Sequence, residues 1–250
     1  MNASSNSDRV NEGARLAGSL RSVLHLGAVL GVLLLSTACN STTVLQVNFN
    51  SDTVGSPPAD TQGTGTVSLA PGAGTITVVD APAPGLAANK WVRLNHPTTP
   101  SQETVMRCTF SRFDGVGNYT FLASLYIPSG TGAVTVQFET FQGSVNSAPG
   151  FLHLDFMPEG DVRIDDSSVR FGQFPRDRTF ALSVNLDITS TTATARIALH
   201  GTGASGTQDV NINPASLTVA RQFGAVRFWM GFQWQGPFFV DDILVTRRNS

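Results

Sequence analysis

The sequence predicts an all-β protein, a two-sheet antiparallel jelly-roll sandwich. Three observations carry this expectation. Apolar and polar residues alternate along many short segments, the signature of strands with one buried and one wet face. The 24 glycines and 13 prolines, with every proline after residue 56, punctuate those segments as turns do. Only one short stretch, 216–224 (SLTVARQFG), has the pattern of a helix. About a dozen strands in one domain exceed a small immunoglobulin-like unit and suit two packed sheets of five to seven strands.

The segments follow in order. TVLQVNF (43–49) opens the series and leads into a Pro/Gly-rich loop. VSLA, GTITVVDA, KWVRLNH, ETVMRCTFSR, YTFLASLYIP and AVTVQFETF come next. FLHLDFM and DVRID flank Pro158-Glu159-Gly160, a hairpin signal. RTFALSVNLDI and TTATARIALH form a second hairpin around Thr189 and Ser190. VNINP, AVRFWMGFQW and FFVDDILVTRR finish the chain. Along the second hairpin, Phe180, Leu182, Val184 and Leu186 should be core, with Ser183 and Asn185 wet. Ala193, Ala195, Ile197 and Leu199 should face the core from its other strand. In the penultimate segment Val226, Phe228, Met230, Phe232 and Trp234 share one face, and Arg227, Trp229, Gly231 and Gln233 the other.

The first 38 residues differ from everything after them. Arg9, Arg15 and Arg21 precede an apolar run from Val23 to Leu35, broken by His25 and two glycines, and small residues follow. That is the three-part plan of a secretory signal, its apolar run shorter than a spanning helix needs, with an uncleaved membrane anchor as the alternative. The expected organisation is a signal peptide over 1–38 and a single β-sandwich domain over 39–250. Net charge is −2, and of the 16 basic residues only Lys90 is not arginine. No basic run exists, so nucleic acid is not an expected partner.

Two resemblances add to this reading. LLLSTAC resembles the lipobox of bacterial lipoproteins, in which the cysteine receives a diacylglyceryl group and becomes the first residue. Cys39 would hold that role, giving a lipid anchor at the cell envelope. Ser36 stands where that family usually has Leu. Ser36 and Ala38 also fit ordinary signal peptidase, which would leave a periplasmic or secreted protein whose Cys39 is able to pair with Cys108. Asn40, after the cysteine, is what outer-membrane sorting permits in Gram-negative lipoproteins. Separately, VNFNSDTVGSPP and FFVDDILVTRR resemble the opening and closing strands of concanavalin A-like domains of the lectin and glucanase kind, and the hairpin around 179–200 resembles the two long central strands of laminin-G-like domains. The resemblance implies that first and last strands lie side by side, and it implies contact with polysaccharide or glycan.

A candidate binding face follows from the residues themselves. Trp229, between Arg227 and Gln233 on the polar side of its strand, is what a sugar platform needs. A flat ring covers the apolar face of a pyranose while polar neighbours bond its hydroxyls. Gln137, Glu139, His153 and Asp155, with Arg163 and Asp165, offer compatible polar faces on other strands. They make one site only if they share a sheet with Trp229. Otherwise Trp229 is covered by a loop, or the residues lie on different sheets. Trp91, beside Arg93 and Asn95, reads as edge packing.

Other chemistry finds less support. The Glu-x-Asp-x-x-Glu string of laminarinase-type enzymes is missing; Asp155 and Glu159 come nearest, with Glu159 in a turn. The Gln-x-His motif of alginate lyases has only its glutamine, Gln137. No cofactor or metal is expected. Asp241 and Asp242 read as hydrogen-bonded to a neighbouring loop, and Cys108 as a buried, inert thiol. Gly201-Thr-Gly203-Ala-Ser-Gly206 matches a dinucleotide fingerprint by letter, but no helix follows it, so it reads as a loop. The functional expectation is non-catalytic glycan binding at the cell envelope. The alternatives are an envelope interaction domain without a small ligand and a cryptic glycan hydrolase or lyase.

Overall fold

The computed structural model describes residues 41–82, 89–97, 102–113, 115–164 and 170–248. Cys39 and Asp165 lie outside the described residues. From Ser41 onward the chain forms one unit of two antiparallel eight-stranded sheets.

One sheet, here the back sheet, holds β1 (Ser41–Val47), β4 (Thr75–Val79), β5 (Trp91–His96), β7 (Gly117–Tyr126), β12 (Thr179–Ile188), β13 (Ala193–His200), β14 (Thr207–Asn211) and β16 (Gly236–Arg248). The front sheet holds β2 (Thr61–Gln62), β3 (Gly65–Ala70), β6 (Thr104–Phe110), β8 (Val134–Thr140), β9 (Gly150–Phe156), β10 (Asp161–Ile164), β11 (Arg170–Gln173) and β15 (Phe223–Met230). The front order is β11-β10-β9-β8-β15-β6-β3-β2. The back order is β14-β13-β12-β7-β16-β5-β4, with β1 on the flank of β16. A 3₁₀ turn (Pro214–Ser216) and a four-residue helix, α1 (Leu217–Ala220), occupy the stretch expected to be helical.

β16 explains the back sheet. It is 13 residues long, and β7 lies along one side of it. On the other side, β5 pairs with Gly236–Val240 and β1 with Ile243–Arg248. First and last strands are therefore neighbours. A register shift between Asp241 and Leu244 falls where β5 gives way to β1. It resets the alternation, so that Phe238 and Val240 before it, and Ile243 and Val245 after it, all reach the core. Asp242 takes a positive φ of 51° to make the step.

The core lies between the sheets. Phe180, Leu182, Val184 and Leu186 fill it from β12, and Ala193, Ala195, Ile197 and Leu199 from β13. Phe223 is the hub of an aromatic cluster, with ring centroids 4.8 Å from Phe110, 5.2 Å from Tyr119 and 5.4 Å from Phe151. Cys108 is fully buried here, and burial pushes its thiol up to about 12. Both expected hairpins form. Gly160, at φ +90°, donates its N–H to Met157 O at 3.0 Å, and Thr189 N–H donates to Thr192 O at 2.8 Å.

Two expectations about faces need correction. Ser183 is buried rather than wet, at 4% exposure. It points outward, but its hydroxyl lies 2.8 Å from His200 Nε2, and neighbours on β7 and β13 shield it. The penultimate strand also ends early, at Met230. Residues 231–234 turn instead, with Trp234 N–H donating to Gly231 O at 2.9 Å. Phe232 is left 59% exposed, and Trp234 packs against the core from the turn.

Candidate functional site

Side chains on the outer face of the front sheet meet in three rows, fixed by strand register. Ser68, Arg107, Arg227, Gln137 and His153 form the central row across β3, β6, β15, β8 and β9. On one side Ala70, Val105, Trp229, Thr135, Asp155 and Arg163 line up. On the other are Thr66, Thr109, Ala225 and Glu139. Six of the seven expected binding residues, Trp229, Arg227, Gln137, Glu139, His153 and Asp155, thus share one sheet and one face. Gln233 does not join them on the strand, because the chain has already turned; it is exposed in that turn. Trp91 lies on the back sheet and is buried there, so it belongs to no common site with Trp229.

The middle of the face is an ion-pair cluster. Arg107 Nε donates to Glu139 Oε2 at 2.9 Å. Its other nitrogens donate to Thr109 Oγ1 at 2.7 Å and to Thr140 O at 2.7 Å. Arg227 Nη2 donates to Glu103 Oε2 at 2.7 Å, and its Nη1 lies 3.7 Å from Glu139 Oε1. Two arginines are direct cross-strand neighbours, an arrangement that repels unless a counter-charge sits between them. Glu139 supplies that charge. It is fully buried, and burial raises its carboxyl above the usual range, opposed by the hydrogen bond from Arg107 and the charge of Arg227. Glu139 therefore orders the arginines and does not present to solvent.

Trp229 stands at the border of this cluster, half-buried. The Arg227 guanidinium lies 5.1 Å from the centre of its ring, within cation–π range. One face of the indole is thereby engaged. Its Nε1–H is buried and meets no acceptor among the described residues. Beyond it, Thr135 Oγ1 donates to Asp155 Oδ1 at 2.6 Å, which fixes that carboxylate on the half-buried part of the face. Gly150 makes room here: a Cβ would sit 2.2 Å from Gln137 Nε2 and 2.6 Å from His153 Nε2, so both side-chain ends would have to move. Its absence lets the amide and the imidazole share the space between β8 and β9.

Chemically the face offers an indole edge, an amide, an imidazole and a hydrogen-bonded carboxylate in adjacent positions. These are groups that bond hydroxyls and cover C–H surfaces. Arg107 and Thr135 were not among the expected site residues. Arg107 sits opposite the Cys108 thiol in the alternation of its strand, and that is the signal that points to it. Asp241 is remote from this face. It is fully buried at the β5–β1 junction, accepts from Asn89 Nδ2, and feels the backbone N–H groups of Asp242 and Phe49. Asp241 is thus tied to a neighbouring loop, as expected, while Asp242 makes the backbone step at the junction. Among the described residues, no group of three or more His, Cys, Asp and Glu is placed to hold a metal ion.

The glycine-rich loop is also structural. Gln173 and Ser205 exchange N–H···O bonds of 2.9 Å each, joining β11 of the front sheet to the β13–β14 loop of the back sheet. A Cβ on Gly206 would lie 2.6 Å from Gly172 Cα, and one on Gly172 would lie 2.5 Å from Ser205 O. Close approach of two backbones, and not a phosphate, calls for glycine there.

No family model and no curated protein matches the chain. Solved structures do. A sialidase aligns with 82% of this chain at TM-score 0.53 and 10% identity, and the chain spans only 18% of that sialidase's length. Lectin II from Ulex europaeus aligns with 84% of this chain and 100% of its own, at TM-score 0.52 and 8% identity. The lectin UEA-II, solved in complex with galactose, aligns over 84% and 100% at TM-score 0.51 and 9% identity. At such identities the likeness speaks for architecture alone. With the strand order and the adjacent first and last strands, it makes residues 41–248 a concanavalin A-like jelly-roll sandwich.

Proposed function

We propose that this is an exported lipoprotein, anchored at the cell envelope through Cys39, whose front sheet binds glycan without turning it over. The observation that carries the binding half is the convergence of Trp229, Gln137, His153 and Asp155 on one face of one sheet. The lectin-like architecture supports it, since two structures of the same fold are lectins. The anchoring half rests on the LLLSTAC sequence, with Asn40 permitting sorting to the outer membrane in a Gram-negative cell. Because Arg227 occupies one face of the indole, the sugar meets the opposite face of the half-buried ring. Gln137, His153 and Asp155 then bond its hydroxyls.

The test pairs binding with melting. Trp229→Ala should weaken binding to a polysaccharide panel by a factor of tens or more, about 1–3 kcal/mol, while shifting the melting temperature little. A second reading, an interaction domain without a small ligand, is favoured by one fact. Arg107, Arg227, Gln137 and Glu139 are all buried, and the two arginines pair with Glu139 and Glu103, so the centre of the face is largely engaged internally. On that reading Trp229→Ala destabilises the fold by several kcal/mol, and the unaltered protein binds no glycan.

A further inference from the structure

One end of the sandwich gathers features that the candidate face does not use. β1 begins there at Ser41, in register with Arg248 at the end of β16. The β6–β7 loop reaches the same end, where Arg247 Nη2 donates to Val116 O at 2.9 Å. Phe113 and Val116 of that loop are 50% and 43% exposed. Phe113 packs 5.9 Å from the partly buried Phe141, so the apolar surface continues from loop to sheet. Around it stand Arg112 and Arg248, both exposed, with Arg247 and Arg221 half-buried. Arg221 spans to the β12–β13 turn, donating to Ser190 O at 3.3 Å. The described acidic residue at this end is Asp187, in register with Asn118, and Asp114 lies outside the described residues. Four arginines thus ring exposed Phe and Val at the point where the chain enters from its amino-terminal segment.

Cys39 is two residues from Ser41, a reach of at most about 7 Å along the chain. A lipid on Cys39 would therefore tether the domain by its Ser41 end. Exposed Phe and Val inserted at the headgroup boundary, with arginines beside acidic headgroups, are how a peripheral surface seats on anionic lipid. We infer that the Phe113–Val116–Arg248 end is a membrane-seating surface that docks on anionic phospholipid and holds the domain upright; this rests on the lipid-anchor reading of Cys39. Among the described residues the other exposed large aromatic, Phe232, lies at the opposite end of β15, about 20–25 Å away at about 3.3 Å per residue.

That separation provides the experiment. The full chain, matured in a bacterial host and reconstituted in phosphatidylglycerol vesicles, is given a fluorophore at Phe113→Cys or, in a second variant, at Phe232→Cys. Cys108 is fully buried and takes no label. The unaltered protein, reduced before labelling, is the anchor control: a lipidated Cys39 has no thiol that reduction can free, so labelling of the unaltered protein shows that the anchor reading has failed and takes the inference with it. With the anchor intact, headgroup-bound quenchers should quench the residue-113 probe at least threefold more than the residue-232 probe. Replacing phosphatidylglycerol by phosphatidylcholine should reduce that quenching about twofold or more. Equal quenching at both positions, or no dependence on lipid charge, overturns the seating surface while leaving the anchor in place. A residue-113 probe unquenched in vesicles but shielded in intact envelopes assigns this end to a protein partner and likewise overturns it.

Discussion

Asp241 makes the stability of this protein depend on pH in a direction opposite to that of a salt-bridged carboxylate. Burial pushes its carboxyl up from 3.8 to about 8, and the neighbouring Asp242 adds to the rise. A raised folded-state value means that the folded chain keeps a proton the unfolded chain has lost. The stabilisation is therefore complete below about pH 4 and is lost as pH climbs toward 8. At 1.36 kcal/mol per unit, a shift of about four units sets a ceiling of about 5 kcal/mol. Water entering the β5–β1 junction on ionisation would lower the cost, so about 2–4 kcal/mol is the expected loss between pH 4.5 and 8.5. Asp241→Asn isolates the effect. Asparagine still accepts from Asn89, while its amide replaces the Oδ1 that meets no donor. That buries an extra donor at a cost of about 1–3 kcal/mol, the same at every pH. Urea unfolding of both proteins at half-unit steps should give curves that converge as pH rises, with the variant flatter. The subtraction matters because His200, held below its usual value by burial, loses stability in the opposite direction, as pH falls. Parallel curves would refute the buried, protonated Asp241.

Two further changes test the packing and the polar cluster. Leu182→Ala should cost about 2–5 kcal/mol by urea unfolding, as a fully buried leucine does, and Ser183→Ala about 1–2 kcal/mol, because it strips His200 of its hydroxyl partner. Glu139→Ala should cost about 3–5 kcal/mol by leaving Arg107 and Arg227 buried without their shared counter-charge, and Glu139→Leu combined with Arg107→Met should recover most of that loss.

The core was legible because alternation survives wherever a strand has one dry side. Phe180 to Leu186 and Ala193 to Leu199 fall as the period of two demands. The same rule misplaced Ser183, because it sorts residues by face and says nothing of neighbours tall enough to seal the outer face as well. It also carried AVRFWMGFQW past its end. Gly231 offers no side chain to show whether the strand continues, and Gln233 therefore seemed to belong with Arg227 and Trp229. The bulge at Asp241 is legible only in hindsight: Val240 and Ile243 both reach the core, and a period of two forbids that without an inserted residue. Which strands share a sheet is set by long-range pairing. The convergence of Gln137 and His153 on Trp229 therefore needed the register of β8, β9 and β15.

That register also fixes how the two proposed surfaces relate. The strands of the front sheet run from the Phe113–Arg248 end toward Phe232, so its outer face opens sideways from that axis. Trp229 is six residues beyond Phe223, about 20 Å along the strand. A domain seated on its anchored end would hold the indole about that far from the headgroups, more than two Debye lengths at physiological salt. Lipid charge would then be screened at the binding face, and glycan affinity should not follow lipid composition even where seating does. The Glu139-bridged arginines reinforce this separation. Their charge is balanced locally by Glu139 and Glu103, so a glycan on the proposed face would be selected through hydrogen bonds and ring contact rather than through long-range field.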